Sequence, residues 1–245
     1  MAQYVYGVVP ASSKLPSTRR GIDDRPLRVV ASGGLGALTS DAPGDELVAG
    51  RDELLTHSRV LEQALERGPV LPMRFGVVMP SEDSVRSDLL SAHRDELEAQ
   101  LEEMRGKVEV NIKGIYDEQA VLAEVVRENT EVARLRESLQ GVSEDATYFQ
   151  RIRLGELVAE ALTAKRGADE EVTLSLLSQY ALDVQLGEPL HERMAVNASF
   201  LVERDRLEEF DRAVDELGAR HADRIRFRYT GPLPPHSFVE LAVEG

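Results

Sequence analysis

Two hydrophobic periods alternate along this 245-residue chain, and each admits one kind of backbone. Side chains two apart share a strand face, whereas those three or four apart share a helix face. Lys107 to Tyr116 shows the first period: Val108, Val110 and Ile112 alternate with Lys107, Glu109, Asn111 and Lys113, which predicts a strand with one wet side. The stretch before it shows the second. From Ser81 onward, Val85, Leu89, His93, Leu97, Leu101 and Met104 form one stripe, opposed by Glu82, Asp88, Asp95, Glu96 and Glu103, and this spacing predicts a helix facing a core.

The same reading extends to both ends. Tyr4 to Val9 is β-prone, and Leu27 to Ala31 with Leu35 to Ser40 read as a hairpin across Ser32, Gly33 and Gly34. Leu54, Leu55, Ser58, Leu61 and Leu65 recur at helical spacing until Gly68 and Pro69 stop them. Residues 69–80, PVLPMRFGVVMP, suit a brief strand with an irregular exit. Asp117 to Gly141 predicts one helix or two short ones, followed by separate helices over Asp145 to Arg166 and Asp169 to Tyr180. Leu182 to Leu186 and Met194 to Val202 read as a β-pair. A helix carrying Leu207, Phe210, Val214 and Leu217 follows, then strands over Arg224 to Tyr229 and Ser237 to Val243. Phe200, Phe210, Val214 and Phe227 are expected to be buried together. The order implies an α+β fold of two domains: residues 1–116 as a ferredoxin-like variant, and 117–245 as a helical connection with a C-terminal α+β domain.

Charge narrows the function classes. Lys and Arg number 29 against 44 Asp and Glu, a net −15, so phosphate backbones and anionic membranes repel the molecule as a whole. Cysteine is absent, which removes disulfides, thiolate metal sites and a Cys nucleophile. The opening MAQYVYGVVP has no basic leader, and no run of 18 apolar residues occurs, so the chain reads as soluble and cytosolic.

Catalytic chemistry finds little support. The five histidines, His57, His93, His191, His221 and His236, are not at ligand spacing, and His93 on its apolar stripe reads as a core-margin residue. SGGLGALT, from Ser32 to Thr39, lacks the helix whose first amides hold a phosphate and reads as a hairpin turn. Neither a Gly-Lys-Ser/Thr loop nor a Gly-x-Ser-x-Gly elbow occurs. We therefore expect no catalytic residue, cofactor or metal. Arg224, Arg226 and Arg228 share one strand face. They are either a docking surface for acidic groups or partners of acidic neighbours such as Glu203 and Glu240. YTGPLPP, from Tyr229, reads as a rigid connection that cannot continue a ladder, because its three prolines lack the N–H donor.

Six segments together resemble the gas vesicle GvpF/GvpL family: YVYGVV from Tyr4, VLPMRFGVV from Val70, GKVEVNIKG from Gly106, RIRLGELVAEAL from Arg151, NASFLV from Asn197, and FRYTGPLPPHSFVEL from Phe227. They stand in the family's order and span nearly the whole chain. The resemblance implies a non-catalytic accessory role in assembling gas vesicles, with the small hydrophobic shell protein GvpA and other accessory proteins as partners, in the cytoplasm beside the vesicles. Neither nucleic acid nor membrane is an expected partner. Contact is expected from the first domain, through an edge that includes Leu71, Pro72, Met73, Arg74 and Phe75. The alternative for Arg74 is an internal ion pair with an acidic helix residue. A small-molecule-binding module of ferredoxin-like type is the competing reading of the fold.

Overall fold

The computed structural model describes residues 1–42, 50–143 and 145–240. It is a mixed fold with two antiparallel sheets, and the chain divides into two compact units. One comprises Met1–Val110, Leu201–Asp205 and the residues from Gly231 on; the other comprises Asn111–Phe200 and Arg206–Thr230. Compared with a boundary at Tyr116, the division falls earlier, at Val110, and later segments return to the first unit. Strand pairing and core packing depend on spatial fit and are blind to contiguity in sequence.

In the first unit β1 (Gln3–Pro10) lies between β3 (Leu35–Asp41) and the short β4 (Leu71–Pro72), with β2 (Arg28–Ser32) outside β3; β5 (Val78–Met79) also pairs with β1. All these pairs are antiparallel. Strict alternation would put Val8 on the face of Tyr4 and Tyr6. The register against β3 instead shifts between Val5 and Gly7, and the extra residue of this bulge turns Val8 onto Val5's face. Val5 and Val8 thus join one core with Val30, Leu71, Met73, Leu89, Leu97 and Leu101, while Tyr4 and Tyr6 meet His57 on helix α1 (Arg51–Leu65). Both faces of β1 are covered, so the strand is buried along almost its whole length.

Helix α1 buries His57, Val60, Leu61, Ala64 and Leu65. Leu54 and Leu55, assigned to the core stripe by spacing, are 43% and 49% exposed. The stripe through Leu54, Leu55, Ser58, Leu61 and Leu65 omits the polar His57, around which the buried face is centred. The stripe from Ser81 to Met104 is also interrupted. A single turn α2 (Glu82–Ser84) continues as a π-helical stretch, Val85–Ser91, and α3 (Arg94–Glu103) restarts after His93, whose backbone is non-helical at φ −112°, ψ 24°. His93 is half-buried, 3.8 Å from Glu96.

The second sheet has the order β7 (Asp183–Leu186), β8 (Met194–Glu203), β6 (Lys107–Tyr116), β9 (Ile225–Leu233). In the second unit α4 (Glu118–Glu128) begins on an Asp117 cap, and α5 (Thr130–Ser138) on Asn129, whose side chain accepts from two backbone N–H groups. Both pack on α6 (Tyr148–Leu177) through Val125, Val132, Leu135, Leu154, Leu157 and Val158. The two helices read over Asp145 to Tyr180 are this one 30-residue helix. Gly167 disfavours a helix by only about 1 kcal/mol, too little to end one that is packed on either side of it, through Leu157 before and Asp169, Thr173 and Leu177 after. Helix α7 (Leu207–Arg220) sets Phe210 against Phe200, ring centres 5.2 Å apart, and both are fully buried with Val214; Phe227 is half-buried.

One connection behaves differently from its sequence reading. β9 runs on through Thr230, Gly231 and Pro232 to Leu233. It ends the sheet order, and within sheets proline is found on edge strands. The strand expected over Ser237 to Val243 does not form at 237–240, and its remaining residues lie outside those described.

Candidate functional site

Two polar clusters and three exposed basic positions account for the residues singled out from sequence. In the first unit, Leu71 and Pro72 pair with Val8 and Gly7 of β1, and the Met73 N–H donates to the Tyr6 carbonyl at 2.9 Å. Leu71 and Met73 are core residues. The following residues close a buried network. His57 Nε2 lies 3.1 Å from the Met73 carbonyl, which can only accept, so Nε2 carries the proton and donates. Nδ1 then accepts from the Tyr4 hydroxyl at 2.8 Å, and the Tyr4 oxygen accepts from the Gly76 N–H at 3.2 Å. Gly76 has φ +96°, a conformation that suits glycine. Tyr6 accepts from the Ile22 N–H at 2.8 Å and meets Ser40 Oγ at 3.2 Å.

Every member of this network has a partner, so it holds the loop after β4 in place. Burial pushes the His57 imidazole down to about 4 and the Tyr4 phenol above its ordinary value. The Phe75 ring, half-buried, stands 5.7 Å from the His57 ring and 6.0 Å from that of Tyr4. Arg74 between them points outward, exposed and without an ion pair among the described residues. The segment is thus divided by residue. Leu71, Pro72 and Met73 belong to the interior, whereas Arg74 and part of Phe75 reach the surface.

In the second unit the arginine row splits in the same way. Arg224 precedes β9 and turns inward, where its guanidinium grips Asp169 on α6 with two bonds of 2.6 and 2.8 Å. The Tyr116 hydroxyl donates to the same carboxylate. Arg224 Nε is 3.0 Å from Glu124 Oε1 on α4, and Lys165 Nζ is 3.0 Å from Glu124 and 2.8 Å from Glu128. Burial raises Asp169's affinity for a proton, but the bonds from Arg224 and Tyr116 outweigh it and hold the carboxyl below its ordinary value. Tyr116 moves up through burial and its bond to Asp169. The partners of Arg224 are therefore Asp169 and Glu124, rather than Glu203 or Glu240. Arg226 and Arg228, on β9 itself, remain exposed with no ion pair among the described residues. Sequence reasoning missed Asp169, which stands 55 positions from Arg224 in a charged helix; no local spacing marks it.

Among the described residues no group of three His, Asp or Glu is arranged to hold a metal ion. No helix there is long and apolar enough to cross a membrane.

Comparison with known proteins agrees along the whole chain. Residues 2–240 match the family described as gas vesicle synthesis protein GvpL/GvpF. Gas vesicle protein F of Streptomyces sp. (strain CB03234) is 41% identical over 244 residues, 98% of this chain and 100% of that protein. Gas vesicle protein F of Dolichospermum flosaquae is 30% identical over 240 residues, 97% of each. The crystal structure of gas vesicle protein GvpF from Anabaena sp. PCC7120 superposes with a TM-score of 0.82 at 25% identity, covering 99% of both chains. With end-to-end agreement in sequence and in backbone, the chain belongs to the gas vesicle GvpL/GvpF family and has a role in gas vesicle formation.

Proposed function

We propose that the protein is a non-catalytic assembly factor. It binds the small hydrophobic shell protein GvpA, together with other accessory proteins, early in shell formation, in the cytoplasm beside the growing vesicle. A subunit destined for a gas-facing wall exposes apolar surface before it is incorporated, and such surface aggregates unless it is covered. A soluble partner of charge −15 keeps the pair dispersed by repulsion between complexes. The titratable groups that converge, Asp169, Glu124, Lys165, Tyr116 and Arg224, are tied to one another by hydrogen bonds and ion pairs, which supports a structural role for them over a reactive one.

The observation that carries the contact is in the first unit. Arg74 is exposed and unpaired beside the half-buried Phe75. An exposed cation beside a partly exposed aromatic ring supports a contact in which Phe75 meets apolar surface and Arg74 forms a basic rim. Arg74→Ala in the full chain should leave the melting temperature unchanged and weaken GvpA capture at least about tenfold, since a rim charge removed from an interface leaves the fold untouched. Capture equal to that of the unsubstituted chain would overturn the assignment of Arg74. A parallel fall in melting temperature would show instead that the residue supports the fold.

A further inference from the structure

The open edge of the second sheet carries a charge arrangement that the fold itself does not use. The Asp117 N–H donates to the Arg224 carbonyl, which sets the register between β6 and β9. In that antiparallel register Lys113 lies opposite Arg228 and Ile115 opposite Arg226. A Cβ placed on Gly114 would lie 3.2 Å from both the Phe227 and Ile225 side chains. Gly114, Ile225 and Phe227 therefore share one face, and Lys113, Arg226 and Arg228 share the other. None of these three cations has an acidic partner among the described residues. Like charges directly opposite across two strands are destabilising, and here they stand in a chain with fifteen more acidic than basic residues.

The backbone at this edge is free as well. β9 ends the sheet order. Since Arg224 faces β6, alternation turns the N–H and C=O groups of Phe227 and Tyr229 away from it, and no backbone bond to them is found elsewhere among the described residues. Charged residues and proline also guard edges against pairing, and Arg226, Arg228 and Pro232 fit that role. A guarded edge, however, needs only its own charges; Lys113 placed opposite Arg228 adds repulsion without adding protection.

We propose that the outer edge of β9 accepts an extended acidic segment of a partner protein as an added strand. Its backbone would pair with Phe227 and Tyr229, and carboxylates two residues apart, about 7 Å along a strand, would meet Arg226 and Arg228. This inference is independent of the assembly reading and of the Arg74 surface.

The test uses the full chain and a fluorescent seven-residue peptide, Thr-Glu-Val-Glu-Val-Glu-Thr. It should bind, weaken as salt rises, and lose at least about tenfold in affinity to R226E/R228E. The double variant should melt no lower than the parent, because Arg228→Glu puts an acid opposite Lys113. Should it fail to fold, R226Q/R228Q provides the same comparison. A version with proline at both valines should not bind, since it cannot pair along the edge. Absence of binding, affinity indifferent to salt or to the substitutions, equal binding of the proline version, or stronger binding of a single-stranded oligonucleotide would each overturn the proposal.

Discussion

Asp169→Ala is expected to lower the free energy of unfolding by about 3–5 kcal/mol, the range for removing one partner of a buried ion pair. The carboxylate is 11% exposed and Arg224 15%, so little solvent is available to replace either partner. Truncation leaves the guanidinium with Glu124 alone and strips the Tyr116 hydroxyl of its acceptor. Chemical unfolding followed by circular dichroism measures the effect. The double variant Asp169→Leu with Arg224→Met should be less destabilised than Asp169→Ala, because it removes both charges and restores apolar contact. A loss below about 1 kcal/mol for Asp169→Ala would mean that the cluster behaves as a surface pair.

Acid should destabilise the protein chiefly through His57. Its ordinary value is 6.5, and in the folded state burial pushes it down to about 4. Between those values the unfolded chain binds a proton that the folded chain refuses. The stabilisation is therefore complete above about pH 6.5 and is lost as pH falls through about 4, and the loss amounts to roughly 3 kcal/mol. Asp169 and Asp41, both held below the ordinary carboxylate value, add losses of the same sign at lower pH. His57→Gln retains a donor for the Met73 carbonyl and an acceptor for Tyr4 and does not titrate. Its stability should fall less steeply between pH 6.5 and 4 than the parent's, the remaining loss coming from His236, which is also held below its ordinary value. Parallel curves for the two proteins would remove His57 from the account.

What was legible in the sequence followed short-range periodicity. The dry face of Lys107 to Tyr116, the pairing of β7 with β8, and the buried side of α7 each depend on residues two to four apart, whereas Glu109, expected on the wet face, is buried and accepts two bonds from Ser237. Features set by distant partners were not legible. Val8 follows alternation in sequence, but the bulge that turns it over is fixed by pairing with β3. His57 counts as polar until Tyr4 and Met73 surround it. The three arginines of 224–228 look equivalent by alternation, and only Asp169 on α6 distinguishes Arg224 from the other two. At Leu71 to Phe75 the family pattern marked a segment, while burial determined which of its residues reach the surface.

Assembly without catalysis is most directly tested by sedimentation. GvpA transferred from denaturant into buffer, alone and with increasing amounts of the purified full chain, is centrifuged, and the soluble fraction is measured. The account predicts that soluble GvpA rises in proportion to the added chain, levels off at a fixed ratio, requires no nucleotide or other consumed reagent, and falls with Arg74→Ala. GvpA that pellets equally with and without the chain would contradict it.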